Sequence, residues 1–175
     1  MSNRILMGAL ATITLLCCAG ASNADDVKKK PFAVRLGVYL PTDSAAREVS
    51  SVGANVGLSF FLNAKTNSQT LLSVDLDGTA ISSSGLSLGY GSFGITGRHF
   101  AQPGQGSGPY YGAGLGIYKS SLKIDGLGEG DTGSKFGARL LAGTMTKNGS
   151  FAEAAYNFTG ESVTGGLTVT YGFRF

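Results

Sequence analysis

Charged residues and histidine are scarce in this 175-residue chain, and it has no cysteine beyond its N-terminal region. Charged residues make up 14% of it and the formal net charge is +3, which is too small for the basic surface that nucleic-acid binding requires. His99 is the only histidine, and the two cysteines, Cys17 and Cys18, both lie near the N-terminus. No apolar run after that region reaches the ~20 residues that a membrane helix needs. The composition therefore argues against a nucleic-acid partner and against a bundle of membrane helices.

The first 24 residues have the pattern of a secretory signal peptide. Arg4 precedes an apolar run over residues 5–21, and Ser-Asn-Ala at 22–24 supplies the small residues that precede a cleavage site. We expect a mature domain over residues 25–175, with no thiol, disulfide or cysteine-based metal site. An uncleaved anchor is one alternative because the apolar run is long. A lipoprotein is another, although Leu16 stands before Cys17 where a small residue is required.

The last residues of the chain alternate strictly between apolar and polar side chains. Leu167, Val169, Tyr171, Phe173 and Phe175 fall on one parity, and the intervening positions carry Thr, Thr, Gly and Arg. A period of two is that of a β-strand with one apolar face and one polar face. Ending on exposed aromatic residues is typical of the closing strand of a transmembrane β-barrel, where aromatics lie at the lipid interface.

Similar alternation recurs along the chain and predicts about eight strands. The predicted strands cover residues 32–40, 52–62, 72–77, 86–100, 110–118, 135–143, 152–158 and 167–175. Polar segments at 41–50 and 125–133 are predicted loops. In the fourth strand the apolar parity changes between Tyr90 and Phe93, which predicts a bulge at Gly91-Ser92. An even number of strands places both ends of the domain on one side, and the four connections on the opposite side are short.

The charged residues of these strands lie opposite the apolar stripes. Arg at mid-depth in lipid would cost ~2–4 kcal/mol, so we expect the charged side chains to face the barrel lumen. The predicted lumen network comprises Arg35, Asp75, Arg139, Glu153 and Arg174, with Glu153 bridging Arg35 and Arg174. A soluble lipocalin-like barrel with the two faces reversed is the alternative.

The whole predicted mature domain resembles the small bacterial outer-membrane β-barrel family, which includes OmpA transmembrane domains, OmpX and OmpW-type proteins. The resemblance rests on the strand pattern, on Tyr-Tyr-Gly-Ala-Gly-Leu-Gly at 110–116 and on the ending Tyr-Gly-Phe-Arg-Phe. It implies an all-β, eight-stranded antiparallel up-and-down barrel in the bacterial outer membrane. It also implies that Tyr171, Phe173 and Phe175 form an assembly signal. The implied partners are outer-membrane lipids and the assembly machinery, and the implied state is a monomer. The implied role is structural, adhesive or that of a narrow pore.

The sequence offers few candidates for chemistry. Gly-Tyr-Gly-Ser-Phe-Gly at 89–94 matches a dinucleotide-binding pattern but lies inside a predicted strand rather than before a helix. A lipid A deacylase-like hydrolase would need Ser two residues after His99, and Ala101 stands there. The acids at 125, 129 and 131 lack the order of a known calcium loop. We therefore predict no catalytic residues, no metal site and no cofactor, and the lipid-modifying hydrolase stays the enzymatic alternative.

Overall fold

The computed structural model describes residues 30–63, 69–83, 86–102, 106–124, 128–160 and 165–175. The predicted signal peptide lies outside the described residues. Within them the chain forms eight strands and one short helix. These are β1 (Phe32–Pro41), α1 (Ser44–Val49), β2 (Gly53–Phe61), β3 (Thr70–Ser83), β4 (Leu86–Phe100), β5 (Gly108–Ile124), β6 (Gly128–Met145), β7 (Ser150–Thr159) and β8 (Gly166–Arg174).

The strands form a closed, all-antiparallel up-and-down barrel, which confirms the predicted fold class. Each strand pairs with the next in sequence, and β1 pairs with β8 to close the sheet. Val38 lies opposite Val169 at this seam, and Phe175 N donates to the Phe32 carbonyl at 2.8 Å. Closure pairs the edge strands, so the barrel leaves no long row of free backbone groups.

The apolar face of every strand lies on the outside of the barrel. The exposed large apolar side chains include at least one from each strand: Phe32, Val56, Leu76, Phe93, Leu115, Leu140, Phe158 and Val169. Buried polar and charged side chains occupy the interior. The lipocalin-like alternative is therefore wrong, because it requires the opposite arrangement of the two faces.

The predicted bulge at Gly91-Ser92 is wrong. β4 pairs in continuous register with both β3 and β5 from Leu86 to Phe100. Leu88 and Tyr90 are buried inside the barrel, whereas Phe93 and Ile95 are exposed on its outer wall. The apolar residues therefore change parity because those at the start of β4 face the lumen and the later ones face outward. The described pairing instead shifts register between β5 and β6, at Lys119 and Ser121.

Two predicted loops also contain regular structure. The sequence predicts a polar loop at residues 41–50, but Ser44–Val49 is helical. The Asp43 side chain caps this helix by accepting hydrogen bonds from Ala45 N at 2.9 Å and from Ala46 N at 3.4 Å. The predicted loop at 125–133 is shorter than expected, since β5 runs to Ile124 and β6 begins at Gly128. In the described part of the chain, no helix has the length and apolar character needed to cross a membrane.

Candidate functional site: the barrel lumen

The lumen is filled in three layers along the barrel axis. We call the end where β1 starts and β8 stops the terminal end, and the opposite end, which carries α1, the helix end. An apolar cluster lies at each end, and charged side chains lie between the two clusters. Strand alternation sends every second residue inward, so each strand contributes to more than one layer.

The middle layer is a set of ion pairs that we call the lumen network. Among the described side chains it contains three arginines and three acids: Arg35, Arg98, Arg139, Asp75, Asp77 and Glu153. Each of the six residues is at most 8% exposed. Equal numbers of opposite charges satisfy the main requirement for burying ions, because an unpaired buried charge is costly.

The two aspartates, both on β3, contact arginines from three other strands. Asp77 accepts from Arg35 Nη2 at 2.8 Å through one oxygen and from Arg139 Nη2 at 2.6 Å through the other. Asp75 Oδ2 lies 3.4–3.6 Å from nitrogens of Arg35, Arg98 and Arg139. The network therefore ties β1, β4 and β6 to β3 through the centre of the barrel.

Glu153 joins the network from β7. Its Oε2 accepts from Arg98 Nε at 2.7 Å and from the Tyr110 hydroxyl at 3.1 Å. Its Oε1 lies 3.3 Å from Arg98 Nη2 and 3.5 Å from Arg35 Nη1. Arg98 thus presents two donors to one carboxylate, which is the strongest ion-pair geometry available to an arginine.

The structure brings together four of the five residues expected in the network, and Arg174 is the exception. The expected bridge from Glu153 to Arg174 is wrong, because Arg98 takes that place. Glu153 lies opposite Thr170 on β8, and Arg174 is four residues, or ~13 Å along the strand, nearer the terminal end. Arg174 instead lies 4.3 Å over the ring of Phe61 and donates to the Lys30 carbonyl at 3.1 and 3.2 Å.

The prediction from sequence omitted two members of the lumen network: Asp77, which has the same facing as Asp75, and Arg98. The parity of Arg98 is opposite to that of Phe93 and Ile95, which face outward, so the alternation did contain the signal. The adjacent His99 has the opposite facing and lies on the outer surface. Arg98 is completely buried, and its Nη1 also donates to Ser73 Oγ at 2.6 Å.

Aromatic side chains dominate the apolar clusters that close the two ends. At the terminal end, the rings of Phe100 and Tyr110 pack edge to face at 5.5 Å. At the helix end, Tyr39 and Tyr90 do the same at 5.0 Å beneath α1, which buries Ala46 and Val49. The terminal cluster contains Ala33, Phe61, Leu71, Phe100, Tyr110, Leu141, Met145, Phe151 and Ala155. The helix cluster contains Tyr39, Ala46, Val49, Ile81, Leu88, Tyr90 and Tyr118.

Inward-facing glycines provide the room that these large side chains occupy. A Cβ at Gly137 would lie 2.7 Å from the ring of Tyr118, and one at Gly114 would lie 3.0 Å from Arg139 Cγ. The space that remains is small. Two lumen cavities found among the described residues each measure about 10 Å³, which is about the volume that one water needs.

The other candidate residues lie outside the lumen. His99 faces the outer surface, where its Nδ1 is 3.0 Å from Thr70 Oγ1 and its ring centre is 5.4 Å from that of Tyr111. Residues 89–94 lie within β4, and no helix follows them among the residues that the structure describes. Asp125 lies outside the described residues. No group of His, Cys, Asp or Glu that could hold a metal ion occurs in the described part of the chain.

The residues of the expected assembly signal form an aromatic strip on the outside of β8. The rings of Tyr171 and Phe173 pack edge to face at 5.0 Å, and Phe175 stacks on Phe32 at 6.2 Å across the seam. Phe175 is 62% exposed. The strip is thus available to a lipid or protein surface, and its role in assembly stays a prediction.

Comparison with known proteins shows similarity of fold. No protein-family model matches the sequence, and no curated protein matches it. The solved structure of Neisserial surface protein A matches with a TM-score of 0.54, 16% identity, and coverage of 82% of this chain and 95% of that one. The N-terminal β-barrel domain of Pseudomonas aeruginosa OprF matches with a TM-score of 0.50, 14% identity, and coverage of 83% and 98%. This chain has the fold of the small eight-stranded outer-membrane barrels.

Proposed function

We propose that this protein is an integral barrel of the bacterial outer membrane with a structural, non-conducting and non-enzymatic role. The apolar outer surface supports the membrane location, because a soluble barrel would expose it to water at a large cost in free energy. The fold shared with small outer-membrane barrels supports the same location.

The observation that carries the structural role is the filled lumen. A solute would have to pass two apolar clusters and a network in which every charge has a partner of opposite sign within about 3.6 Å. Each of the two lumen cavities has room for about one water. An eight-stranded barrel is just wide enough for its own side chains, so a passage would require some of them to move.

Two of the four connections at the helix end are very short, which favours a structural role over an adhesive one. Two residues separate β3 from β4 there, and three separate β5 from β6. Such connections give a partner protein little surface to bind. α1 covers the barrel mouth with its buried residues Ala46 and Val49, so the only surface that it offers a partner is its single exposed face, which carries Arg47 and Glu48.

The surroundings of His99 give little support to an enzymatic role. Its described partners are the Thr70 hydroxyl and the Tyr111 ring, and a hydrolase of the triad type also needs a carboxylate to orient the imidazole. Incubation with lipid A vesicles should therefore release no fatty acid. Release that is lost in the His99→Ala variant would contradict the non-enzymatic proposal.

Two measurements test the membrane location and the closed lumen. The protein should fractionate with the outer membrane and migrate differently on gels before and after heating. Purified protein in planar bilayers should give no discrete current steps, while a 16-stranded porin, which has an open aqueous channel, serves as the conducting control. Regular steps from the wild-type protein would refute the closed lumen and favour a narrow pore.

A further inference from the structure

A groove of about 970 Å³ crosses the outer wall of the barrel on the side formed by β1 to β5. Its floor contains Gly78, Ala80, Gly89 and Gly91, whose outward positions are adjacent in the sheet. Leu36 and Val56 bound the groove on one side, and Lys119 and Ser121 bound it on the other. Its volume lies in the range of sites that hold a small organic molecule.

Packing does not require the glycines of this floor. A Cβ at Gly78, Gly89 or Gly91 would meet its nearest atom at 3.7, 3.4 and 3.7 Å, which is ordinary contact. In the lumen, a Cβ at Gly114 would meet its nearest atom at 2.7 Å.

Backbone conformation does not require them either. The glycines with positive φ in the described chain are Gly106, Gly108, Gly133 and Gly149, and none of these lies in the groove. Glycine inside a strand weakens it and often marks a place where another molecule approaches closely. Gly78, Gly89 and Gly91 are neighbours in the sheet, and neither packing nor backbone conformation requires glycine there. Their positions therefore indicate that the depression they form accommodates another molecule.

The groove lies at the level where acyl chains would meet headgroups. Near the terminal end, the rings of His99 and Tyr111 pack on the outer wall, as expected for the aromatic girdle at a membrane interface. Gly91 is eight residues from His99 along β4, which is ~26 Å of strand and ~20 Å of depth at the usual tilt. Exposed apolar side chains, among them Phe93 and Ile117, continue the surface toward the terminal end. The groove is thus continuous with the lipid-facing band and close to its edge.

Lysine side chains lie at the edge of the groove nearest the headgroups. Lys119 is the direct neighbour of Gly91 across the β4–β5 pair, and its side chain is exposed. Lys123 is four residues farther along β5, so it has the same facing. An ammonium beside an apolar groove is complementary to a ligand with an apolar tail and an anionic head.

We propose that the groove binds one acyl chain of an anionic, phosphate-bearing lipid, with the phosphate beside Lys119. The inference rests on the proposed membrane location of the barrel. It adds a specific lipid site to a surface that would otherwise contact lipid uniformly. The apolar floor selects the chain, and the lysine selects the charge of the headgroup.

Native mass spectrometry of the barrel released from mixed vesicles tests this proposal. The vesicles contain phosphatidylcholine and phosphatidylglycerol in equal amounts, and the wild-type barrel should retain one phosphatidylglycerol. Gly91→Leu fills the groove and should reduce retention at least tenfold. Lys119→Gln should remove the preference for phosphatidylglycerol over phosphatidylcholine. Gly97→Leu is the matched control and should retain lipid as the wild type does, because Gly97 is an outward glycine of the same strand with its nearest atom at 3.5 Å.

The failure of this inference is distinguishable from the failure of the proposed function. A wild-type protein that inserts and shows heat-modifiable migration, but retains no lipid, would overturn the lipid site alone. Equal retention by wild type and Gly91→Leu would also overturn it, as would a species with two barrels that fills the groove in place of lipid. A wild-type protein that does not insert into vesicles would overturn the membrane location and the lipid site together.

Discussion

Replacing Glu153 with glutamine should destabilise the barrel strongly, because this carboxylate is the buried partner of two arginines. Its oxygens accept from Arg98 Nε at 2.7 Å and from the Tyr110 hydroxyl at 3.1 Å, and Arg35 Nη1 is 3.5 Å away. Glutamine keeps the shape of the side chain but removes the charge, and it turns an amide NH₂ toward donors. The network then holds one unbalanced positive charge.

The expected magnitude follows from the burial of the pair. Removing one partner of a buried ion pair costs about 3–5 kcal/mol, so Glu153→Gln should lower the free energy of unfolding by about 3 kcal/mol or more. Removing Arg98 together with Glu153 leaves Arg35 and Arg139 with Asp75 and Asp77, which restores the balance of charge. The double variant Glu153→Gln with Arg98→Met should therefore cost about 1–3 kcal/mol less than the sum of the two single variants.

Equilibrium unfolding of the refolded barrel in urea measures these free energies. The chain contains no tryptophan, so far-UV circular dichroism is the suitable signal, and the slope of the transition should be the same in every variant. Arg174→Met is the matched control, because Arg174 is also a buried arginine but contacts Phe61 and the Lys30 carbonyl rather than Glu153. Its effect should add to that of Glu153→Gln.

The outcome that refutes this reasoning is specific. If Glu153→Gln and Arg98→Met are additive within about 0.5 kcal/mol, the two residues do not interact and the lumen is hydrated rather than packed. If Arg174→Met couples to Glu153→Gln as strongly as Arg98→Met does, the network is centred on the terminal end instead.

Three further predictions concern the wall, the seam and the glycines. Leu140→Arg should cost roughly 2–4 kcal/mol, because this exposed leucine faces lipid; a spin label at Leu140 that reports water would show that the faces are reversed. Deleting Phe175 should lower the amount of barrel assembled in the outer membrane while the refolded protein stays folded, and unchanged surface levels would exclude an assembly role. Gly114→Ala should destabilise the barrel, since the new Cβ would meet Thr96 Oγ1 at 2.7 Å. Gly91→Ala should be tolerated, because its nearest atom would be at 3.7 Å. Equal unfolding midpoints for the two variants would contradict the packing argument.

The amino-acid sequence by itself determined the number of strands and the direction of nearly every side chain, but it predicted β3, β5 and β6 to be shorter than they are. Alternation with a period of two fixed which residues of β1, β2, β3, β5, β6, β7 and β8 face outward, and the even number of strands followed from the same pattern. The pattern failed at Leu88 and Tyr90, where apolar residues turn into the lumen beneath a helix. A local sequence pattern cannot distinguish an apolar residue that faces lipid from one that packs in the apolar cluster inside the barrel.

The tertiary structure alone decided which inward residues meet. Period two specifies the side of the sheet, but the height of a residue along the barrel axis depends on the register of each strand pair and on the stagger that closes the cylinder. That height separates Arg174 from Glu153 and brings Arg98 to it from a strand far away in sequence. The same closure places Gly78, Gly91 and Lys119 side by side on the outer wall, because three strands must first pair in one register before their outward positions become a groove.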